Sequence, residues 1–403
     1  MKRVIAILAL AGIIAGACSG GGTSGASAAP SAAATKAAAT ATAAPKAFKL
    51  GALIPLTGPS GATGQDMKDG YELAKEQINA AGGVNVSVIY EDDKNDPATA
   101  VASFEKLVSN DKVDVMMGGL ASTITAALIE PAKKAQVPMA WTGAAATAVE
   151  LGFKDQDFFF HYHPWEYMNA QSALSFMKST PYKKVAIAYE DGLFGTGGAK
   201  GFGDALPAQG QQVVASEAFK TGSTDFTALL NKLKPSGAEI FVIIPFAGDV
   251  LPLLTQMREV GFAPKLVYAS PPSFPANFGA SPVAEGVAGL TLWTADIPAP
   301  ASKKFVADFK AKYNHDPVSY WSALAYTNLT TAVNALKASD GSKAGWIKAM
   351  EATSYESPLG PTLKFTPSNT IKHQGFTSLV SFQWQSAKQQ IVFPENLATA
   401  KLK

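Results

Sequence analysis

The sequence predicts an α/β protein of two similar Rossmann-like lobes joined by a multi-strand hinge. Three observations carry that expectation. Strand-like and helix-like patterns alternate through most of the chain, which implies mostly parallel sheets with helices on both faces. The alternation runs for too many units to fit one ordinary sheet, and 403 residues exceed what a single core usually holds. The tail then leaves the rhythm with a helical block and a late strand, so the chain is expected to cross between the lobes more than once.

The elements follow in order. Residues 49–54 read as a strand, then a Gly-rich turn, then a helix over 64–80. In that helix Met67, Tyr71, Ala74 and Ile78 recur at three- and four-residue spacing. Gly82-Gly83 ends it. Val86, Val88 and Tyr90 alternate as a half-buried strand. Asp96-Pro97 supplies an N-cap and a proline at the first helical position, opening a helix to about residue 109. Strands are expected at 113–117, 137–141, 184–189, 212–218, 239–244 and 265–268. Helices over 195–206, 226–233 and 250–260 fall between the later ones. The tail offers a strand at 289–294 and helical stretches at 302–313, 319–336 and 343–351. A last strand alternates through Phe376, Leu379, Val380, Phe382 and Trp384.

Ahead of the globular part, residues 1–17 read as an export leader. Lys2 and Arg3 precede an apolar run from 4 to 17 that is short for a bilayer span, which needs roughly 20 apolar residues. The run ends at Ala15-Gly16-Ala17-Cys18, which resembles a bacterial lipobox with Ala15 in place of the usual leucine. Lipidation of Cys18 is the expectation, against an ordinary secretory cleavage site beside an incidental cysteine. Cys18 is the only cysteine, so no intramolecular disulfide is possible. From there to residue 47 nearly every residue is Ala, Gly, Ser, Thr or Pro. Such a segment cannot repay its ordering entropy and should act as a flexible tether, about 30 Å end to end.

Formal net charge is +2, and Lys2 and Arg3 alone account for that excess. A near-neutral chain gives no reason to expect nucleic acid as a partner.

At this point the residues resemble a known family, the type I periplasmic solute-binding proteins that serve branched-chain amino acid ABC transporters. The resemblance runs from 49 to about 384. It is carried by Gly51-Ala52-Leu53-Ile54-Pro55-Leu56-Thr57-Gly58, Asn79-Ala80-Ala81-Gly82-Gly83-Val84, Tyr90-Glu91-Asp92-Asp93 and Asp96-Pro97-Ala98-Thr99-Ala100. Gly118-Gly119 followed by Ser122-Thr123, and the Phe194-Gly195 turn, continue it. It implies an extracytoplasmic solute-binding lipoprotein of an ABC importer, a monomer that is not an enzyme and holds no cofactor. Its partners would be a small molecule, a membrane permease and, through the lipid, the outer face of a bacterial membrane. Lobe 1 is expected over 48–163 plus 289–365, and lobe 2 over 164–288 plus 366–403.

The same resemblance places ligand between the lobes, at loops after strand C-termini, where open α/β sheets bind ligands generally. Ser122 and Thr123 would meet a carboxylate or carbonyl, unless Ser122 merely caps its own helix. Ala144, Ala145 and Thr147 are candidates in the second loop, which is otherwise a plain small-residue turn. In the other lobe, Phe194 and Phe246 stand where amino-acid binders of the family carry tyrosines. Pro271 stands near their acidic residue. Phenylalanine neither donates nor accepts a hydrogen bond and proline cannot pair a cation, which leaves Asp249 or Asp191 as the substitutes an ammonium would need. Trp141, Tyr162, Trp165, Phe194, Phe246 and Phe274 crowd the expected cleft. They favour an aromatic or aliphatic carboxylate or amide without a free ammonium. The alternatives are a branched-chain or other amino acid, or a sensor lipoprotein presenting ligand to a receptor.

Other chemistry finds little support. His161-Tyr162-His163 puts two imidazoles on one strand face, but without cysteine or HExxH spacing a metal is not expected. These histidines are expected at the lobe crossing. Gly195-Thr196-Gly197-Gly198 with Lys200 lacks the ending of a phosphate loop and reads as a turn before a helix. No GxSxG elbow occurs.

Overall fold

The structure is a computed structural model describing residues 45–270, 274–275 and 277–403. The leader, Cys18, nearly all of the tether and Pro271 lie outside the described residues. Among the described residues no helix is long and apolar enough to cross a membrane.

Two sheets divide the strands. The first holds β1 (Lys46–Ile54), β2 (Val84–Asp92), β3 (Val115–Gly118), β4 (Met139–Trp141) and β5 (Phe159–His161). The second takes β6 (Lys184–Glu190), β7 (Gln212–Phe219), β8 (Ile240–Ile244), β9 (Leu266–Ala269) and β10 (Ala288–Thr291). After a helical block, β11 (Tyr355–Glu356) and β12 (Thr362–Leu363) form a small antiparallel ribbon. β13 (His373–Gln374) then rejoins the first sheet, and β14 (Val380–Gln385) and β15 (Lys388–Phe393) close the second.

Strand order is β13-β5-β4-β3-β1-β2 in the first sheet, with every pairing parallel. It is β15-β14-β10-β9-β8-β6-β7 in the second, parallel until β14 and β15 turn antiparallel. Both are doubly wound, so each has a point where strand order reverses, between β1 and β3 and between β6 and β8. Central strands are buried on both faces, as helix-covered parallel sheets require, and all five residues of β8 are buried.

The sequence locates most elements to within a few residues. Asp96 caps its helix as read, its Oδ1 accepting from Thr99 N at 2.7 Å ahead of Pro97. Several elements escape it, the helices Ile129–Ala135 and Thr147–Gly152 and the strands β11, β12 and β15 among them. β5 is only three residues long inside an aromatic run, too short to show alternation. The helix Glu166–Lys178 has no side-chain cap to announce it, yet buries Ala170, Ala173, Phe176 and Met177.

Pairing also moves the crossing points. Ala288–Thr291 belongs to the second sheet, so the return to the first falls after 291 rather than at 289. His373–Gln374 still pairs with β5, so the final departure follows 374 rather than 365. The helices Gly61–Ala81 and Tyr320–Ala338 pack closely on the first sheet's side. Gly70 permits that approach, since a Cβ there would lie 2.1 Å from the carbonyl oxygen of Ser322.

The crossings are stitched together. Beyond β5 and β13 the two segments stay paired, Gly375 N donating to His161 O at 2.7 Å and Phe376 N to Tyr162 O at 3.0 Å. The Gln374 amide lies between them, its Nε2 donating to His163 O and Phe376 O at 3.0 and 2.7 Å. His161 contacts Gln374 Oε1 at 3.1 Å and the Gly143 carbonyl at 2.9 Å. Both histidines thus sit at the crossing, as expected from sequence.

Candidate functional site

The chain after β3 turns sharply at Gly118 and Gly119, both at positive φ. Gly119 has no alternative residue: at φ +78° a Cβ would fall 2.2 Å from the Trp141 indole. The helix Ser122–Ala127 then begins with Ala121 as its N-cap. Ser122 therefore does not cap its own helix. Its hydroxyl is buried and accepts from Ala146 N at 3.1 Å, tying this loop to the one after β4. Ala144 N donates to Leu120 O at 3.0 Å, a second tie between the same loops. Ala144 takes φ +76°, a strained conformation for a residue with a Cβ, which marks a tightly constrained turn. Glu166 completes the arrangement, accepting from Thr147 N at 3.0 Å while its own N donates to Ala145 O at 2.7 Å.

The opposing wall comes from the loops after β6 and β8. Phe194 lies near the start of the helix Leu193–Ala205, and Phe246 is the N-cap of the helix Ala247–Glu259. Both are half-buried, with ring centroids 5.8 Å apart. Asp249 holds this corner: its oxygens accept from Phe246 N at 2.9 Å and Gly222 N at 3.0 Å. Burial pushes its carboxyl up to about 6 against those two hydrogen bonds. Both its oxygens are engaged by backbone, and Asp191 Oδ1 accepts from Thr221 N at 3.0 Å.

Between the walls lies a cavity of about 30 Å³. One side is lined by Leu120, Ala144, Ala145 and His163, the other by Phe194, Pro245 and Phe246. Tyr320 and Trp321, at the start of the helix Tyr320–Ala338, close the end. No carboxylate or ammonium is among these side chains. His163 stacks on Trp321, with ring centroids 5.3 Å apart. Burial carries its imidazole down to about 3, so the ring is neutral at physiological pH.

The walls touch at the rim. Thr123, exposed, accepts through Oγ1 from Leu193 N at 3.2 Å, and Gly248 N donates to Pro59 O at 3.2 Å. The volume left inside suits one or two waters, whereas a dry cavity that takes benzene measures about 150 Å³. A ring-sized ligand therefore requires the lobes to move apart.

The structure brings together Ala144, Ala145, Phe194 and Phe246 of the residues singled out in sequence, with Ser122, Thr123 and Thr147 immediately behind or beside them. Four aromatics are elsewhere. Trp141 is fully buried with Nε1 donating to Thr125 Oγ1 at 3.1 Å. Tyr162 is buried with its hydroxyl 2.6 Å from Thr331 Oγ1, and Trp165 stacks on His161 with centroids 3.8 Å apart. Phe274 likewise packs on Phe278, Phe382 and Trp384 in the second lobe's core. Tyr320 and Trp321, with Pro245, are lining residues that sequence reading missed. The available signal was an aromatic pair directly after the N-cap Ser319. Among the described residues no cluster of His, Cys, Asp and Glu suits a metal ion.

Comparison with known proteins places this geometry in a family. The model of a periplasmic binding protein family matches residues 47–389. The Leu/Ile/Val-binding protein homolog 8 of Brucella abortus is 26% identical over 379 residues, covering 88% of this chain and 92% of that protein. The branched-chain amino acid transporter substrate-binding protein of Streptococcus pneumoniae, solved with isoleucine, superposes with a TM-score of 0.75 at 24% identity. It covers 85% of this chain and 98% of its own. A solute-binding protein from R. palustris, solved with benzoate, superposes at 0.78 with 19% identity, covering 88% and 100%.

Proposed function

This chain belongs to the periplasmic binding protein family as a type I solute-binding protein of the branched-chain amino acid group, not an enzyme, and on that premise we propose that its ligand is a small aromatic or aliphatic carboxylate or amide lacking a free ammonium. The observation that carries this reading is the cavity between the lobes, which no carboxylate side chain among the described residues lines. An ammonium entering it would be desolvated beside Phe194, Phe246 and Pro245 without a counter-charge, a cost of several kcal/mol. Asp249, an acidic candidate beside Phe246, already accepts from two backbone N–H groups. Phe194, Phe246 and Trp321, by contrast, supply aromatic lining that a flat ring could stack on once the lobes part. Of the two structural neighbours, the one solved with benzoate is the better guide to such a ligand than the one solved with isoleucine.

Capture closes the lobes over the ligand about the stitched crossing, and the closed form docks on a membrane permease for import. Export and tethering through a lipid on Cys18 follow from the leader and the low-complexity segment behind it. A thermal-shift screen of the purified chain tests the ligand class. Stabilisation by benzoate or its relatives and none by leucine or isoleucine is expected; the reverse pattern overturns the proposal.

A further inference from the structure

Besides the Trp321 indole, two polar side chains line the cavity, and their surroundings fix the direction of the hydrogen bond between them. His163 Nδ1 lies 2.7 Å from the carbonyl oxygen of Pro164. A carbonyl only accepts, so Nδ1 carries the ring proton. In a neutral imidazole Nε2 is then a bare acceptor, and its partner is the Tyr320 hydroxyl at 3.1 Å. Tyr320 must donate to it. With its one proton committed, the phenolic oxygen keeps only lone pairs for a third group. Burial enforces the same protonation at any physiological pH, because it disfavours the charged ring. The Trp321 face stacked on His163 keeps the imidazole in plane, so this polarity is built into the wall.

We propose that His163 and Tyr320 act together as the specificity-determining reader of this cleft, selecting an aromatic ligand that carries a neutral O–H or N–H donor, as in a hydroxyaromatic acid or an aromatic amide, over the same ring without one. The inference rests on the aromatic reading of the cleft and adds the chemistry of the ligand's second polar group. A donor placed against the Tyr320 oxygen completes a chain running from ligand to Tyr320 to His163 to Pro164 O. A bare ring edge leaves a buried oxygen with a lone pair that no donor meets, at the cost of one hydrogen bond. Tyr320 touches ligand in this scheme, and His163 positions it.

The test is isothermal titration of the exported chain with benzoate, the three monohydroxybenzoate isomers, benzamide and leucine, repeated on Tyr320→Phe. At least one donor-bearing probe should bind about tenfold more tightly than benzoate. Tyr320→Phe should erase that preference, the affinity ratio of the donor-bearing probe to benzoate falling from about tenfold to near one. Benzoate binding as tightly as every donor-bearing probe, or a preference that survives Tyr320→Phe, overturns the reader and leaves the aromatic reading standing. Binding of leucine alone, or of no probe, overturns both. Should Tyr320→Phe lose its circular dichroism signature, the wild-type ratio by itself decides.

Discussion

The two walls of the cleft are built from different materials. The first is mostly backbone and small residues: Ala144 and Ala145 line it beside Leu120 and His163, and its loops are set by the Gly118-Gly119 turn, Ser122 Oγ, Glu166 and main-chain hydrogen bonds. The second is side chain: Phe194 and Phe246 project from helix starts and meet the cavity with whole rings. A backbone wall is costly to alter, because any change breaks the fold before it changes the cargo. A side-chain wall can be re-cut residue by residue. Divergence in what such a protein carries should therefore be concentrated in the second lobe, while the first supplies a fixed floor.

This contrast can be broken in several ways. The largest effect belongs to the first wall: Gly119→Ala drives a methyl into the Trp141 ring and should cost about 3 kcal/mol or more in denaturant unfolding. A variant unfolding like wild type would mean the turn is free to relax. Next, Phe246→Ala removes a half-buried ring and should weaken aromatic ligand binding by about tenfold in calorimetric titration, with unfolding little changed. Equal losses in binding and stability would show that the ring is core rather than wall. Ser122→Ala should cost about 1–2 kcal/mol of stability by leaving the buried Ala146 N–H without its acceptor.

The smallest effect is in pH dependence, where the walls should differ in sign. His163 has a folded value near 3, below its ordinary 6.5. Its neutral ring contributes stability above 6.5 that is lost as pH falls through that window. Asp249 is raised to about 6 from 3.8, so its contribution is complete below 3.8 and lost as pH rises through 6. Melting temperatures measured from pH 7 to 4 should fall less in His163→Gln than in wild type. In Asp249→Asn they should fall more, since the variant lacks the gain on acidification. Parallel curves for all three proteins would remove the titrating pair from the account.

Much of this architecture was legible in sequence because parallel strands and amphipathic helices announce themselves by period, as β1, β8 and the helix Gly61–Ala81 do. Strand order was not, since nothing local in β13 records that it pairs with β5 across more than two hundred residues of chain. The loops that meet at the cavity could be located because their small residues and hydroxyls follow predicted strands. The aromatics were harder to place. Trp141 and Phe194 both sit near strand ends, yet one faces the core beneath Gly119 and the other the cleft. A strand's face is fixed by its register, which residue type alone does not reveal. Tyr320 was hidden for another reason: as the first residue of a long, mostly buried helix it looks like packing.

The paired crossing segments have a mechanical consequence. Gln374 clamps two strands into one ribbon, so the lobes are joined by a leaf spring and not a ball joint: bending is soft, sliding and twisting are stiff. At the far rim the lobes hold each other by hydrogen bonds at Thr123 and Gly248, each worth about 1 kcal/mol. So light a clasp on so well-guided a hinge lets the scaffold spend little free energy in either position. How long the jaws stay shut is then left for the cargo to decide.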